Sequence, residues 1–197
     1  MKKSKILIRT AGGSTKGKQL GMGHIFRSIH LAKELKSFKL IFLLEDFGGA
    51  KRILKKNGFT NILQLEKNIS HQQEYLKTQK IINEHSIDLI IYDKYKINKK
   101  FVAKITKLVK TVIITDLKEI GYDSSLLING FVGFSSGTKR NKFGTKCLVG
   151  PKYQILDRRF SLRKKPSKIK NDFDGYKGFI KKKNFPSNKK NTHKIYK

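Results

Sequence analysis

Tryptophan is absent from this 197-residue chain, proline occurs three times and cysteine once. A single cysteine, Cys147, excludes an intramolecular disulfide framework and fits a reducing compartment. No apolar run approaches the roughly 20 residues that a membrane-spanning helix needs. The N-terminal MKKSKILIRT turns polar too soon for a secretory signal, so a cytoplasmic protein is expected. Acidic residues are also scarce, 14 against 45 lysines and arginines, for a formal net charge of +31. Such an excess ordinarily points to nucleic acid or an anionic surface. Here it is nearly all lysine, spread through every segment of a chain crowded with Asn, Ile, Phe and Tyr, as an AT-rich coding sequence produces. Zinc-ligand spacing, RNP-like aromatic strands and a helix-turn-helix pattern are all missing. Specific nucleic-acid recognition is therefore not expected. What remains is weak, salt-sensitive adhesion to polyanions and at most peripheral association with a membrane.

What is present is organised around Lys5 to Leu35. Ile6, Leu7 and Ile8 read as a buried parallel strand, followed by a glycine-rich loop and a helix opening at Gly21-Met22-Gly23-His24. Ile25, Ile29, Ala32 and Leu35 fall on one face of that helix. Further strands are expected at 39–44, 61–65, 88–92, 111–115 and 125–129. Helices are expected at 49–57, stopped by Asn57-Gly58, at 70–84 with Ser70 as N-cap, and at 98–108. Six strands with mostly helical connections predict an α/β fold, a doubly wound parallel sheet of Rossmann type. The loops at 11–22, 45–48, 93–97, 116–123 and 129–137 would then surround one crevice. From about Lys164 the chain becomes rich in lysine and asparagine without periodicity, which predicts a domain over 1–163 and a linker with a disordered basic tail over 164–197.

The glycine loop argues against a dinucleotide cofactor. Phe26 occupies the place of the third glycine of the G-x-G-x-x-G fingerprint, and the turn is too long. No metal is expected either, because Asp93, Asp116 and Asp123 lie on separate loops and the remaining histidines lack partners at ligand spacing. His24 is the candidate for chemistry. In the first turn of a helix it meets the positive dipole end, which favours the neutral ring that can accept a proton. Arg27 lies three residues on, placed to meet a phosphate or to pair with Asp93 or Asp116.

The run G-M-G-H-I-F-R-S-I-H-L-A-K-E-L resembles the N-terminal domain of GT-B-fold sugar-nucleotide enzymes, the group holding the MurG-type glycosyltransferases. More closely, the chain resembles the PseG and SpsG family of UDP-sugar hydrolases of pseudaminic acid and surface-polysaccharide synthesis. Other matches follow in order: Ile8-Arg9, Ile91-Tyr92-Asp93-Lys94-Tyr95, Ile114-Thr115-Asp116-Leu117 and Leu126-Leu127-Ile128-Asn129. The segment Leu148 to Leu156 with Arg158-Arg159-Phe160 completes the set. The resemblance implies that His24 is the base that activates water against the anomeric carbon, releasing UDP. It places Gly21, Gly23, Arg27, Asp93, Tyr95 and Asn129 at the substrate, Tyr95 against the sugar. The chain departs from the family in the insertion Gly12 to Lys18, in Lys94 after the strand-four aspartate, and beyond residue 164. The family carries a second, nucleotide-binding domain there, which this sequence does not resemble. The expectation is an N-terminal half whose nucleotide-binding half is a separate subunit or was lost by truncation or frameshift. The alternatives are the acceptor-binding half of a GT-B glycosyltransferase and a non-catalytic accessory subunit.

Overall fold

The computed structural model describes residues 3–15 and 18–160. Strand β1 (Lys5–Thr15) is followed by β2 (Lys18–Gly21), α1 (Gly23–Glu34), β3 (Lys39–Asp46), α2 (Ala50–Lys56), β4 (Ile62–Leu65) and α3 (His71–His85). Then come β5 (Leu89–Asp93), α4 (Lys99–Thr106), β6 (Lys110–Thr115), β7 (Leu126–Asn129), β8 (Gly137–Arg140) and β9 (Lys146–Val149), with 3-10 turns at Pro151–Tyr153 and Arg158–Phe160. The sheet runs β4-β3-β1-β5-β6-β7-β9-β8, with β2 paired to β1 alone. Every pairing is parallel except β1 with β2 and β8 with β9. The expected α/β Rossmann-like, doubly wound fold is what the chain forms. The tail over 164–197 lies outside the described residues.

Alternation along β1 builds the two faces. Leu7 packs with Leu43, Tyr92, Phe101 and Val102 beneath α3 and α4. Ile6 and Ile8 pack with Ile25, Ile29, Phe42, Leu44 and Leu54 beneath α1 and α2. Successive side chains of a strand point to opposite faces, so a strand covered on both sides must be apolar throughout. Ser70 and Asn98 cap α3 and α4, their side-chain oxygens accepting from the backbone N–H of Gln73 and Phe101.

Three strands were not expected. Residues 11–15, expected as a loop, continue β1, still paired to β3 through Gly12, and return as β2, with a bulge between Gly13 and Ser14. A side chain at Gly13 would lie 2.5 Å from the Gly48 backbone nitrogen, at a φ of +123°. Only glycine lets the arm lie this close to the β3–α2 loop, and Phe47 N–H donates to Gly12 O at 2.9 Å there. At the far edge, β8 and β9 form a hairpin. Asn141 Oδ1 accepts from the N–H groups of Phe143 and Thr145, and Gly144 sits at φ +79°. Residues 116–124 carry no helix; they pass directly from β6 to β7.

The chain leaves β1 for β3 and β4 on one side, then crosses through α3 to β5 on the other. The strand order therefore reverses between β1 and β5. Beyond the carboxyl ends of these strands lies the crevice where sheets of this kind bind ligands.

Candidate functional site

Two elements meet at that crevice. Helix α1 opens just after the β1–β2 arm and carries His24 in its first turn, and β5 ends in Asp93. The Asp93 side chain is fully buried, and its Oδ1 lies 2.8 Å from His24 Nδ1. Arg27 grips the same carboxylate, with Nε 2.9 Å from Oδ2 and Nη2 2.5 Å from Oδ1. Ser28 Oγ adds a longer bond of 3.3 Å to Oδ2. Arg27 Nη1 reaches outward to Asp116 Oδ2 at 3.2 Å. Of the alternatives for Arg27, the structure realises the pairing with Asp93 and Asp116. Burial opposes its charge, and the two carboxylates more than offset this, holding the guanidinium above its ordinary value.

Arg27 Nη2 also lies 2.9 Å from His24 Nδ1. Because an ionised carboxylate can only accept, the 2.8 Å approach of Asp93 Oδ1 assigns the proton to Nδ1, in a charge-assisted bond. The other ring nitrogen, Nε2, is then an acceptor. It has no partner among the described residues.

His24 borders two depressions. One, of about 290 Å³, has Tyr95 on its rim and Ala11, Phe47 and Ile69 as its apolar lining. Its polar wall is a buried four-charge cluster. Arg9, completely buried, donates from Nε to Glu74 at 2.7 Å and from Nη2 to Glu45 at 2.8 Å. Lys94 Nζ lies 3.0 Å from Glu74 and 3.8 Å from Glu45. Burial pushes the Glu74 carboxyl up, but Arg9 and Lys94 together pull it below its ordinary value. Burial, and then the Arg9 charge, lower Lys94.

The second depression, about 370 Å³, lies across α1 and is lined by Gly23, Phe26, Arg27, Asp116 and Leu156. A Cβ placed on Gly23 would meet nothing within 4 Å. Gly23→Ala is therefore expected to leave thermal stability unchanged or slightly higher, since alanine favours helix. It should weaken any ligand that approaches this backbone, which a binding titration beside a melting curve would separate.

The structure thus brings together His24, Arg27, Asp93 and Tyr95, with Gly23 at the edge of the second depression. Gly21 closes the β1–β2 arm at φ +67°, paired with Gly13. Asn129 is buried, its amide donating to Leu117 O at 2.7 Å and its carbonyl accepting from Phe131 N–H at 2.9 Å. That side chain shapes the loops after β6 and β7. Sequence reasoning missed Ser28 and Glu74 and noted Arg9 only as the end of a motif. A charge inside the apolar run Ile6-Leu7-Ile8-Arg9 was the available signal, since a buried arginine requires carboxylates. Among the described residues, no group of three His, Cys, Asp or Glu side chains is placed to hold a metal ion, and no helix is long and apolar enough to cross a membrane.

No protein-family model matches the chain. It is similar to the uncharacterized protein MJ1062 of Methanocaldococcus jannaschii, with 31% identity over 171 residues, covering 82% of this chain and 32% of that protein. The chain thus spans about a third of the length of this curated relative.

Proposed function

We propose that this chain is the sugar-facing half of a UDP-sugar hydrolase of the PseG and SpsG type, with His24 as its general base. The observation that supports the reading is the His24–Asp93 pair at the switch point, with Nε2 left as an acceptor beside a cavity. A water molecule would donate to Nε2 while its oxygen attacks the anomeric carbon. The bond from that carbon to the diphosphate oxygen breaks, and its electron pair leaves with UDP. The water proton rests on Nε2, and Asp93 stabilises the imidazolium so formed. Attack opposite the leaving group inverts the sugar. In this reading the uridine diphosphate is held by a separate nucleotide-binding partner, and Tyr95 packs against the sugar.

The test is UDP release from UDP-sugars, UDP-2,4-diacetamido-2,4,6-trideoxy-β-L-altropyranose among them, by the chain together with its nucleotide-binding partner, followed by ³¹P NMR. His24→Ala is expected to slow release by about 10²–10⁴. Equal rates for the variant and the parent chain would sink the assignment. The depression across α1 favours a second reading, in which an acceptor hydroxyl replaces water and the chain is half of a glycosyltransferase. A product containing a new glycosidic bond, formed only with acceptor present, distinguishes the two.

A further inference from the structure

We infer that the cavity beside His24 selects a sugar bearing a carboxylate, held by Lys94 and Lys96. The inference rests on the reading of this cavity as a sugar site and names the class of sugar it takes. Charge bookkeeping within the wall is the starting point. Arg9 and Lys94 balance Glu45 and Glu74, and every carboxylate oxygen of that cluster already accepts an internal bond. Glu74 takes Arg9 Nε and Lys94 Nζ. Glu45 takes Arg9 Nη2 on one oxygen and the Asn68 backbone N–H on the other. Arg9 Nη1 donates to Thr10 O at 2.6 Å. What the cluster still offers the cavity is a lysine N–H, because an ammonium has three donors and no acceptor.

The rim adds to the same sign. Lys96 and His71 also line the cavity. Lys96 Nζ sits 5.4 Å from the Tyr95 ring centroid and pairs with no carboxylate among the described residues. The cavity is therefore rich in donors and carries excess positive charge, while Ala11, Phe47 and Ile69 supply an apolar floor for a ring.

Backbone strain points to the same place. Three non-glycine residues among those described have positive φ: Asn68 at +59°, Ser86 at +50° and Lys96 at +54°. Ser86 ends helix α3; the other two stand on the rim of this cavity. Such conformations persist only where the surroundings impose them, and they gather at ligand sites.

The experiment is a ¹H–¹⁵N NMR titration of the full chain with methyl β-glucuronide and with methyl β-glucoside, which differ only in a carboxylate against a hydroxymethyl group. The glucuronide is expected to bind at least about tenfold more tightly, as one charge-assisted hydrogen bond provides. Its shifts should centre on residues 68–71 and 94–96. Lys94→Gln and Lys96→Gln should each remove most of the preference. Lys96 is exposed and outside the buried cluster, so its variant answers the question even if Lys94→Gln unfolds. Equal affinity for the two glycosides, no binding of the glucuronide, or a preference that survives Lys96→Gln would overturn the inference. A chain that prefers the glucuronide but releases no UDP from any UDP-sugar, alone or with its nucleotide-binding partner, sinks the hydrolase reading alone. A chain that hydrolyses UDP-sugars without sensing the carboxylate sinks this inference alone.

Discussion

Asp93→Asn is expected to cut UDP release by about 10²–10⁴ while the chain still folds. The carboxylate accepts from His24 Nδ1, from Arg27 Nε and Nη2, and from Ser28 Oγ. Asparagine retains one oxygen, which Arg27 claims as the stronger donor. Its amide NH₂ then faces the ring, and a donor opposite Nδ1 forces that nitrogen to accept. The proton moves to Nε2, the atom that must take one from water, and the base is lost without any change of shape. Stability should fall by only about 1–3 kcal/mol, the cost of one weakened buried bond, because Arg27 keeps Asp116 as a partner. Two measurements check this separately. The ¹⁵N shifts of His24 should show Nε2 protonated in the variant and Nδ1 protonated in the parent chain, whatever the turnover. A variant with the parental tautomer and parental rate would show that Asp93 merely anchors α1.

The parts of this molecule that were legible in the sequence are those where one physical demand dominates. Strands β1, β3, β5 and β6 are covered on both faces, so their apolar runs could be read directly, as could the Ser70 cap. Strand β8 could not. Its residues Gly137, Thr138, Lys139 and Arg140 form a polar edge, and edge strands are kept charged to avoid pairing with other chains. The arm of β1 and β2 was hidden for another reason, since a glycine-rich run reads as a loop unless its partner strand is known. At the site, His24, Arg27 and Asp93 were visible because a strand end and a helix start converge by topology alone. The Arg9–Glu74 pair joins residues 65 positions apart, which no local pattern reports. Asn129 is a different case. The resemblance places it at the substrate, and in the structure its amide satisfies backbone groups of the loops after β6 and β7.

Arg9→Met is expected to destabilise the chain by roughly 3–5 kcal/mol, the usual cost of removing one partner from a buried ion network. Arg9 is completely buried, and its loss leaves Glu45 and Glu74 sharing Lys94 alone. The pH dependence identifies the cause. In the parent chain Glu74 is pushed up by burial but pulled below the ordinary 4.5 by Arg9 and Lys94. A depressed carboxyl contributes stability above its unfolded value, and the contribution is lost as pH falls through the folded value. In the variant the main opposing charge is gone, burial prevails, and protonation relieves the unpaired carboxylate. The difference in unfolding free energy between the two chains should therefore be largest near neutral pH and begin to shrink on acidification above the ordinary 4.5, where the raised carboxyl of the variant takes its proton. It should shrink further below that value, where the depressed carboxyl of the parent does. Adding Glu74→Leu to Arg9→Met should recover part of the loss, because it removes a buried charge that no longer has its partner. A cost that stays constant with pH, or one that the second substitution deepens, would mean that Arg9 stabilises the fold through the packing of its stem rather than through the charges it joins.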